Sequence, residues 1–256
     1  MKNKKIRVTV VGALGRMGKI ICRKIKNNPK LKLESITDKS ISKIGSLQTQ
    51  KNTMRAFKNS SVIIDFSNPQ STMQVLQNLN KNNKVIIGTT GFTEKQEKTI
   101  KNYSKKYAIL KSGNMSIGIN LLSFVTEQLS KKISNNFQIS IHDNHHKKKI
   151  DYPSGTAFML ANAVASGKNK KLNKIKGNIH LNKEGKNRKN KINFNIIRRG
   201  KTIGKHIVQF EDFAEIIKLK HIAKTRDIFA NGAINAAIWI KNKKYGYYTM
   251  KDLLKI

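Results

Sequence analysis

Cysteine is nearly missing from this chain: Cys22 is the only one in 256 residues. That excludes a disulfide framework and a multi-cysteine zinc site. It fits a reducing, cytoplasmic compartment. There are only three prolines and one tryptophan. Long apolar runs are missing too. Stretches such as Ile234–Ile240 fall far short of the roughly 20 residues of a membrane span, so no membrane partner is expected. The N-terminal MKNKKIRVTVVGALGRMG superficially resembles a signal peptide. Arg7 and Thr9 break its apolar part and Arg16 follows at once, so it reads as a strand and a turn.

Acidic residues are scarce as well. Asp and Glu number 14 against 52 Lys and Arg, a formal net charge of +38. Such a balance points first to nucleic acid. A nucleic-acid binder gathers its charge in an arm, a helix face or an aromatic-laced patch. Here lysine runs along the whole chain, with Asn and Ile equally abundant, which reads as compositional drift on a solvated surface. At most, nonspecific contact with polyanions at low salt is expected. Hydrophobic residues make up 38% of the chain, enough with its glycines for a folded core and too many for a disordered chain. The length suits one large domain or two modest ones.

Apolar and polar periods divide the chain in two. Residues 6–11 read as a buried strand, followed by the glycine turn Gly12 to Gly18 and a helix over 19–26. Strands at 31–37, 61–66 and 84–88, helices near 70–81 and 93–106, and a segment at 108–111 continue a β-α-β alternation. That alternation predicts a parallel sheet covered on both faces. The pattern then changes. One helix spans 116–132, with Ile117, Leu121, Leu122, Val125 and Leu129 on an apolar stripe. A strand at 137–142 leads into a polar loop with two histidines, then a helix over 155–165. Residues 167–191 look least ordered. Strands with antiparallel-style alternation occupy 192–198, 204–210 and 214–220, and a last helix covers 226–240. The expected fold is α/β. A parallel-sheet region is thus followed by a second region that mixes helices with alternating strands.

Three segments carry chemistry. In Gly12-Ala13-Leu14-Gly15-Arg16-Met17-Gly18, glycines let backbone approach a pyrophosphate at a helix N-terminus. Asp38 ends the second strand and can accept from an adenine ribose hydroxyl. Lys39 beside it can meet a 2′-phosphate, which leaves NADH against NADPH open. Gly88-Thr89-Thr90-Gly91 closes another strand, at the sheet edge where ligands sit. In His145-His146-Lys147-Lys148-Lys149-Ile150-Asp151-Tyr152-Pro153-Ser154-Gly155-Thr156, histidine and lysine suit proton donation beside carboxylate binding. The helix opening at Ser154 offers N–H groups to an anion. Metal ligation is not expected, because no Cys, third His or acid stands at ligand spacing.

VVGALGRMG, VIIDFSNPQST, IIGTTGF, SGNMSIGINLL, HDNHHKKKIDYPSGTA, IRRGKTIGKHIVQF and HIAKTRDIFANGAINAAIWI together resemble the 4-hydroxy-tetrahydrodipicolinate reductase (dihydrodipicolinate reductase) family, from residue 6 to about 253. The resemblance implies NAD(P)H-dependent reduction of a cyclic imine dicarboxylate in lysine and diaminopimelate biosynthesis, by a cytoplasmic homotetramer. It implies an N-terminal Rossmann-like dinucleotide-binding domain with a parallel sheet over 1–115 and 226–256, and an α+β substrate and tetramerisation domain with a mixed sheet over 116–225. It implies that Gly12 to Met17 wrap the cofactor pyrophosphate and that Asp38 and Lys39 meet the adenine ribose. Gly88, Thr89, Thr90 and Ser112, Gly113, Asn114, Met115 would line the nicotinamide side. It makes His145 and Lys149 the catalytic donors, and His146, Ser154, Gly155 and Thr156 the substrate binders. The chain departs from the family pattern in three places. Asp143-Asn144 stands where a Glu is common before the histidine pair. Ser112-Gly113-Asn114-Met115 replaces an Ala-Pro-Asn-Phe-like run. The segment around Lys183-Glu184-Gly185 is short and lacks a second glycine. Another NAD(P)-dependent oxidoreductase on the same scaffold, such as an amino-acid dehydrogenase, is the competing enzyme class. A basic nucleic-acid-binding protein is the competing non-enzyme class.

Overall fold

The computed structural model describes residues 4–183 and 185–256. Glu184, part of the shortened segment, lies outside the described residues. The chain divides into two compact units. One comprises the described residues up to Ile117 together with Asp227–Ile256, and the other is Gly118–Arg226.

The first unit begins β1 (Ile6–Val11), α1 (Arg16–Lys26), β2 (Leu31–Thr37), β3 (Lys43–Ile44), β4 (Leu47–Gln50) and α2 (Met54–Phe57). It continues β5 (Val62–Asp65), α3 (Pro69–Gln77), β6 (Lys84–Ile87), α4 (Glu94–Ser104) and β7 (Ala108–Lys111). The second unit holds α5 (Ile117–Lys132, entered from the first), β8 (Gln138–His145), α6 (Gly155–Gly167), α7 (Leu172–Ile175), β9 (Lys176–Leu181), β10 (Ile192–Arg198), β11 (Gly204–Glu211) and β12 (Ile216–Ala223). The chain then returns to the first unit with α8 (Asp227–Ile240), β13 (Gly246–Tyr248) and α9 (Met250–Leu254). Among the described residues no helix is long and apolar enough to cross a membrane.

The first sheet runs β13-β7-β6-β5-β1-β2-β4-β3, and every pair is parallel except β3 with β4. Its central strands are apolar without alternation because both faces are covered. Val62 and Ile64 of β5 join the core with Ile21, Ile25, Ala233 and Ala237 from α1 and α8. Ile63 points the other way, onto the core with Val75, Leu76 and Ile100 from α3 and α4. Local caps set the helix starts. Asn68 accepts from Ser71 N at 3.0 Å with Pro69 in the first turn of α3, and Thr93 with Gln96 forms a capping box on α4. The helix expected over 70–81 stops at Gln77. Asn80 and Asn83 bond locally there instead, with Asn83 Oδ1 accepting from Asn80 N. Cys22 is buried against α1's core side and its thiol is pushed up to about 12 by desolvation, so it is chemically inert.

The second sheet runs β12-β11-β8-β10-β9 and is mixed. Strands β12 and β11 pair antiparallel, as expected, and β11 also pairs antiparallel with β8. Strand β10 does not: it lies parallel to both β8 and β9. Alternation reports one covered face and is silent on direction. The 167–191 stretch also differs from expectation. It contains α7 and β9, the latter recruited by β10 through backbone pairing that its Lys- and Asn-rich side chains do not announce. The last of the three strands is shifted, from 214–220 to Ile216–Ala223, because Asp212 Oδ1 accepts from Ala214 N and Glu215 N in a turn.

Helix α5 keeps part of its expected apolar stripe: Ile117, Leu122 and Leu129 pack against the cores, but the stripe is narrower than expected. Leu121 and Val125 are exposed, while Asn120, Ser123, Thr126 and Ser130 are buried with Ile119. Near its C-terminus the helix comes close to the end of α6 at Gly167. A Cβ at Gly167 would lie 2.5 Å from Glu127 O and from Ser130 Cβ, so only small side chains fit the contact. A hydrophobicity stripe measures transfer preference and misses that size requirement.

Candidate active site

In the first unit, the turn residues gather at the carboxyl ends of β1, β5, β6 and β7. The β1 strand lies between β2 and β5, where successive connections leave in opposite directions along the sheet. Gly12 has φ +72°, and a Cβ there would lie 2.5 Å from Phe66 O. A Cβ at Gly18 would lie 2.1 Å from Gly12 O, so α1 comes right up against the turn. Gly15 caps α1 with no side-chain acceptor. The glycines therefore leave a bare cradle of backbone at the start of α1, which fits a pyrophosphate. Ala13 and Met17 turn inward to the core, whereas Gly15 and Arg16 are exposed. Asp38 Oδ2 accepts from Leu14 N at 2.9 Å, so this acid also braces the glycine turn. Lys39 is exposed, and its N donates to Asp38 Oδ1.

The structure assigns Thr89 and Met115 differently from expectation. Thr89 is buried. Its hydroxyl donates to Asp65 Oδ1 at 3.2 Å and accepts from Ser67 N at 3.0 Å, so its side chain faces the interior. Thr90 is the exposed member of the pair. Met115 is a core side chain, 1% exposed, because the preceding loop closes on itself. Ser112 Oγ donates to Asn114 O and Asn114 Oδ1 accepts from Ser116 N. Gly113 adjoins Thr90: a Cβ there would lie 3.7 Å from Thr90 Cγ2, which brings the 88–91 and 112–114 loops together. Two residues were not anticipated. The Phe66 ring fills the space a Cβ at Gly88 would need, at 2.3 Å. Asp65, fully buried, accepts from the hydroxyls of Ser67, Thr72 and Thr89, and desolvation pushes its pKa up against those contacts. A lone acid closing an apolar strand was the available signal.

In the second unit, His145 is not in a polar loop. It is the last residue of β8 and is buried, as is Asp143 on the same strand face. Polarity suggested a loop, but β8 is held on both sides, with Arg198 opposite His145 on β10 and His206 opposite Asp143 on β11. Asp143 is the hub. Its Oδ2 accepts from Ser154 N at 2.8 Å and Arg198 Nη2 at 2.9 Å; its Oδ1 accepts from Ser154 Oγ at 2.8 Å. His145 Nδ1 lies 3.0 Å and His206 Nε2 3.2 Å from Oδ1. Burial alone would raise the pKa of this carboxyl. The contacts from His145, His206, Arg198 and Ser154 overcome that and hold it far below the usual carboxylate range. For His145 burial dominates and lowers its pKa. Asp143 opposes that shift, while His206 and Lys149 add to it.

This cluster supplies the third His and the acid that sequence spacing lacked: Asp143, His145 and His206 converge closely enough to hold a metal ion. The electrostatics disfavour one. The single carboxylate already neutralises Arg198, so a divalent ion would enter a buried site with no net negative charge to offset its own.

Lys149 Nζ sits 2.7 and 2.8 Å from the Asp151 carboxylate oxygens, which hold it in the loop after β8. His146 is half-buried, with its N donating to Thr202 O at 2.7 Å. Ser154, expected to bind substrate, is buried. Its Oγ caps α6 by accepting from Ala157 N and is committed to Asp143. Gly155 is exposed and Thr156 half-buried at the same helix start. Arg198 and His206 were missed as site residues. They come from strands more than 50 positions away, and only the fold brings them to Asp143.

Comparison with known proteins fits both halves of this description. The family model described as "Dihydrodipicolinate reductase, N-terminus" matches residues 6–115, and "Dihydrodipicolinate reductase, C-terminus" matches 118–254. The chain is 47% identical over 254 residues to 4-hydroxy-tetrahydrodipicolinate reductase of Pelagibacter ubique (strain HTCC1062), with 98% of each covered. It is 39% identical to that of Buchnera aphidicola subsp. Schizaphis graminum (strain Sg), covering 100% of this chain and 99% of the other. Dipicolinate-bound dihydrodipicolinate reductase from Paenisporosarcina sp. TG-14 shares the fold, with TM-score 0.76 at 22% identity over 97% of this chain and 99% of that one. An amine dehydrogenase from Mycobacterium smegmatis, at TM-score 0.64 and 8% identity over 96% of this chain and 95% of that one, shares the scaffold alone. With both halves matched and a relative 47% identical over nearly its whole length, the chain is a member of the dihydrodipicolinate reductase family.

Proposed function

We propose that this chain reduces 4-hydroxy-tetrahydrodipicolinate to tetrahydrodipicolinate with NADH or NADPH, in lysine and diaminopimelate biosynthesis in the cytoplasm. The observation that carries the reading is His145: a buried imidazole whose Nδ1 faces a carboxylate, next to a helix N-terminus. Gly12, Ala13, Leu14, Gly15, Arg16 and Met17 would hold the pyrophosphate by backbone. Asp38 and Lys39 would meet the adenine ribose, and Gly88, Thr90, Ser112, Gly113 and Asn114 would border the nicotinamide ribose. A bound reduced nicotinamide supplies the hydride. His145 supplies the proton from Nε2 while Nδ1 faces Asp143, and the 4-hydroxyl leaves as water, so that substrate, hydride and proton give tetrahydrodipicolinate and water. His146, Lys149, Gly155 and Thr156 bind a dicarboxylate through cations and N–H groups. The amino-acid and amine dehydrogenases on this scaffold are the competing enzymes.

The test is a coupled assay, in which the unstable substrate is formed in place from pyruvate and aspartate semialdehyde by the preceding synthase. Oxidation of reduced nicotinamide by the wild type supports the reading, and the ratio of NADH to NADPH rates assigns the cofactor. A folded protein that binds NADH but oxidises none of it refutes the substrate. Lys149→Ala is expected to lower kcat about 10²-fold. Near-normal turnover in that variant removes Lys149 from the donors.

We propose further that the protein is a homotetramer. Ile197, Ile216 and Ile222 are exposed on strands of the second sheet, at 43%, 51% and 49%. The expected mass by light scattering is four times 29.0 kDa. The double variant Ile197→Glu, Ile222→Glu is expected to reduce it to a dimer or monomer. An unchanged mass places the interface elsewhere.

A further inference from the structure

The proposed reaction uses His145, yet the most heavily bonded polar group beside it is Asp143. We infer that Asp143 is a positioning residue, whose buried carboxylate aligns both the proton donor His145 and the carboxylate-binding start of α6. The inference rests on the reductase reading of this site.

The geometry is two-sided. Toward β8's end, Oδ1 lies 3.0 Å from His145 Nδ1. The carboxylate beside Nδ1 favours a proton on that nitrogen, which leaves Nε2 as the one to exchange protons with substrate. Toward α6, Ser154 contributes both its N and its Oγ to the same carboxylate, and that Oγ then caps the helix at Ala157 N. Gly155 and Thr156 follow directly, so moving Asp143 moves the anion-binding turn as well. Arg198 fixes the carboxylate from a third direction. Its Nη2 reaches Oδ2, and its Nη1 donates to Asp143 O at 2.8 Å. His206 fixes it from a fourth, and its ring stands edge-on to His145 with centroids 5.1 Å apart.

The groups facing His145 have separable signs. Asp143 on β8 favours the imidazolium. His206 on β11 and Lys149 in the following loop disfavour it. Arg198 on β10 is paired to Asp143, His146 is the next residue, and His221 on β12 stands opposite His206, one strand further out. Removing the carboxylate must therefore lower the His145 pKa, and removing His206 must raise it. A general acid loses activity as pH rises through its pKa. The alkaline limb of kcat/KM then moves to lower pH in Asp143→Asn and to higher pH in His206→Asn.

The experiment measures kcat, KM and the pH profile in wild type, Asp143→Asn and His206→Asn. NADH binding is followed by fluorescence, and the His145 ring titration by NMR of histidine-labelled protein. Asp143→Asn is expected to lose about 10- to 100-fold in kcat and to raise the substrate KM. The NADH dissociation constant, a property of the other unit, is expected to stay within about threefold. The two variants are expected to shift the limb and the NMR titration in opposite directions, which a general loss of packing does not produce. If Asp143→Asn fails to fold, the upward shift in His206→Asn carries the test. Shifts of the same sign, or none, overturn the inference. The NMR arm needs no turnover. Opposite titration shifts in a protein inactive on this substrate support the positioning role and refute the reaction instead.

Discussion

His145→Gln is expected to lower kcat by about 10²- to 10⁴-fold, the range for loss of a general acid, while the dissociation constant of NADH changes less than about threefold. Glutamine keeps a similar length and a hydrogen-bonding end, so it can still reach Asp143 without titrating. The cofactor cradle lies in a separate unit and contains no atom of β8. Steady-state kinetics in the coupled assay and NADH fluorescence make the comparison. Equal losses in turnover and cofactor binding would show a folding defect and reject the donor role.

The same residue predicts a pH dependence. Burial lowers its pKa from the ordinary 6.5, against the pull of Asp143. In the free enzyme the protonated form is thus lost on the acid side of the usual histidine value, and kcat/KM falls as pH rises through that point. A bound dicarboxylate adds negative charge beside the ring and favours its protonated form. The alkaline limb of kcat is therefore expected at higher pH than that of kcat/KM. Coincident limbs, or a kcat limb at lower pH, reject His145 as the group that titrates.

Why some of this was legible and some was not follows from the kind of information each feature needs. The first sheet was readable because its strands are buried on both faces, and Val62-Ile63-Ile64 announces that by composition alone. The glycine turn was readable because glycine is demanded by backbone overlap at Gly12 and Gly18. Helix α5 was read only in part: Ile117, Leu122 and Leu129 pack inward as expected, but Ser123, Thr126 and Ser130 look like a solvent face when only polarity is weighed, and they are buried. Both histidines were seen and placed in a loop, which holds for His146 but not for His145, because a polar strand end is indistinguishable from a loop until Arg198 and His206 are known to flank it. Those two are contributed by pairing partners far along the chain. Even so, Asp143 and His145 two apart carry the strand period, which would have put both on one face.

Gly18→Ala is expected to weaken NADH and NADPH binding by about 10²-fold or more, with Gly12→Ala behaving alike. The argument is steric. A Cβ at Gly18 would lie 2.1 Å from Gly12 O and 2.6 Å from Ala13 Cα, both backbone atoms that no rotamer change can move aside. Either the turn opens or α1 withdraws, and each moves the N–H groups at the start of α1 away from where a pyrophosphate would lie. The overlap also costs stability, about 1–3 kcal/mol by analogy with overpacked cores. Binding must therefore be measured well below the variant's melting temperature. Gly155→Ala is the matched control, since a Cβ there meets nothing within 4 Å. It lies in the second unit and should leave nicotinamide affinity intact. A Gly18→Ala protein that binds NADH within about threefold of wild type would place the cofactor away from this turn. Parallel loss in Gly155→Ala would mean that affinity reports general integrity and not the cradle.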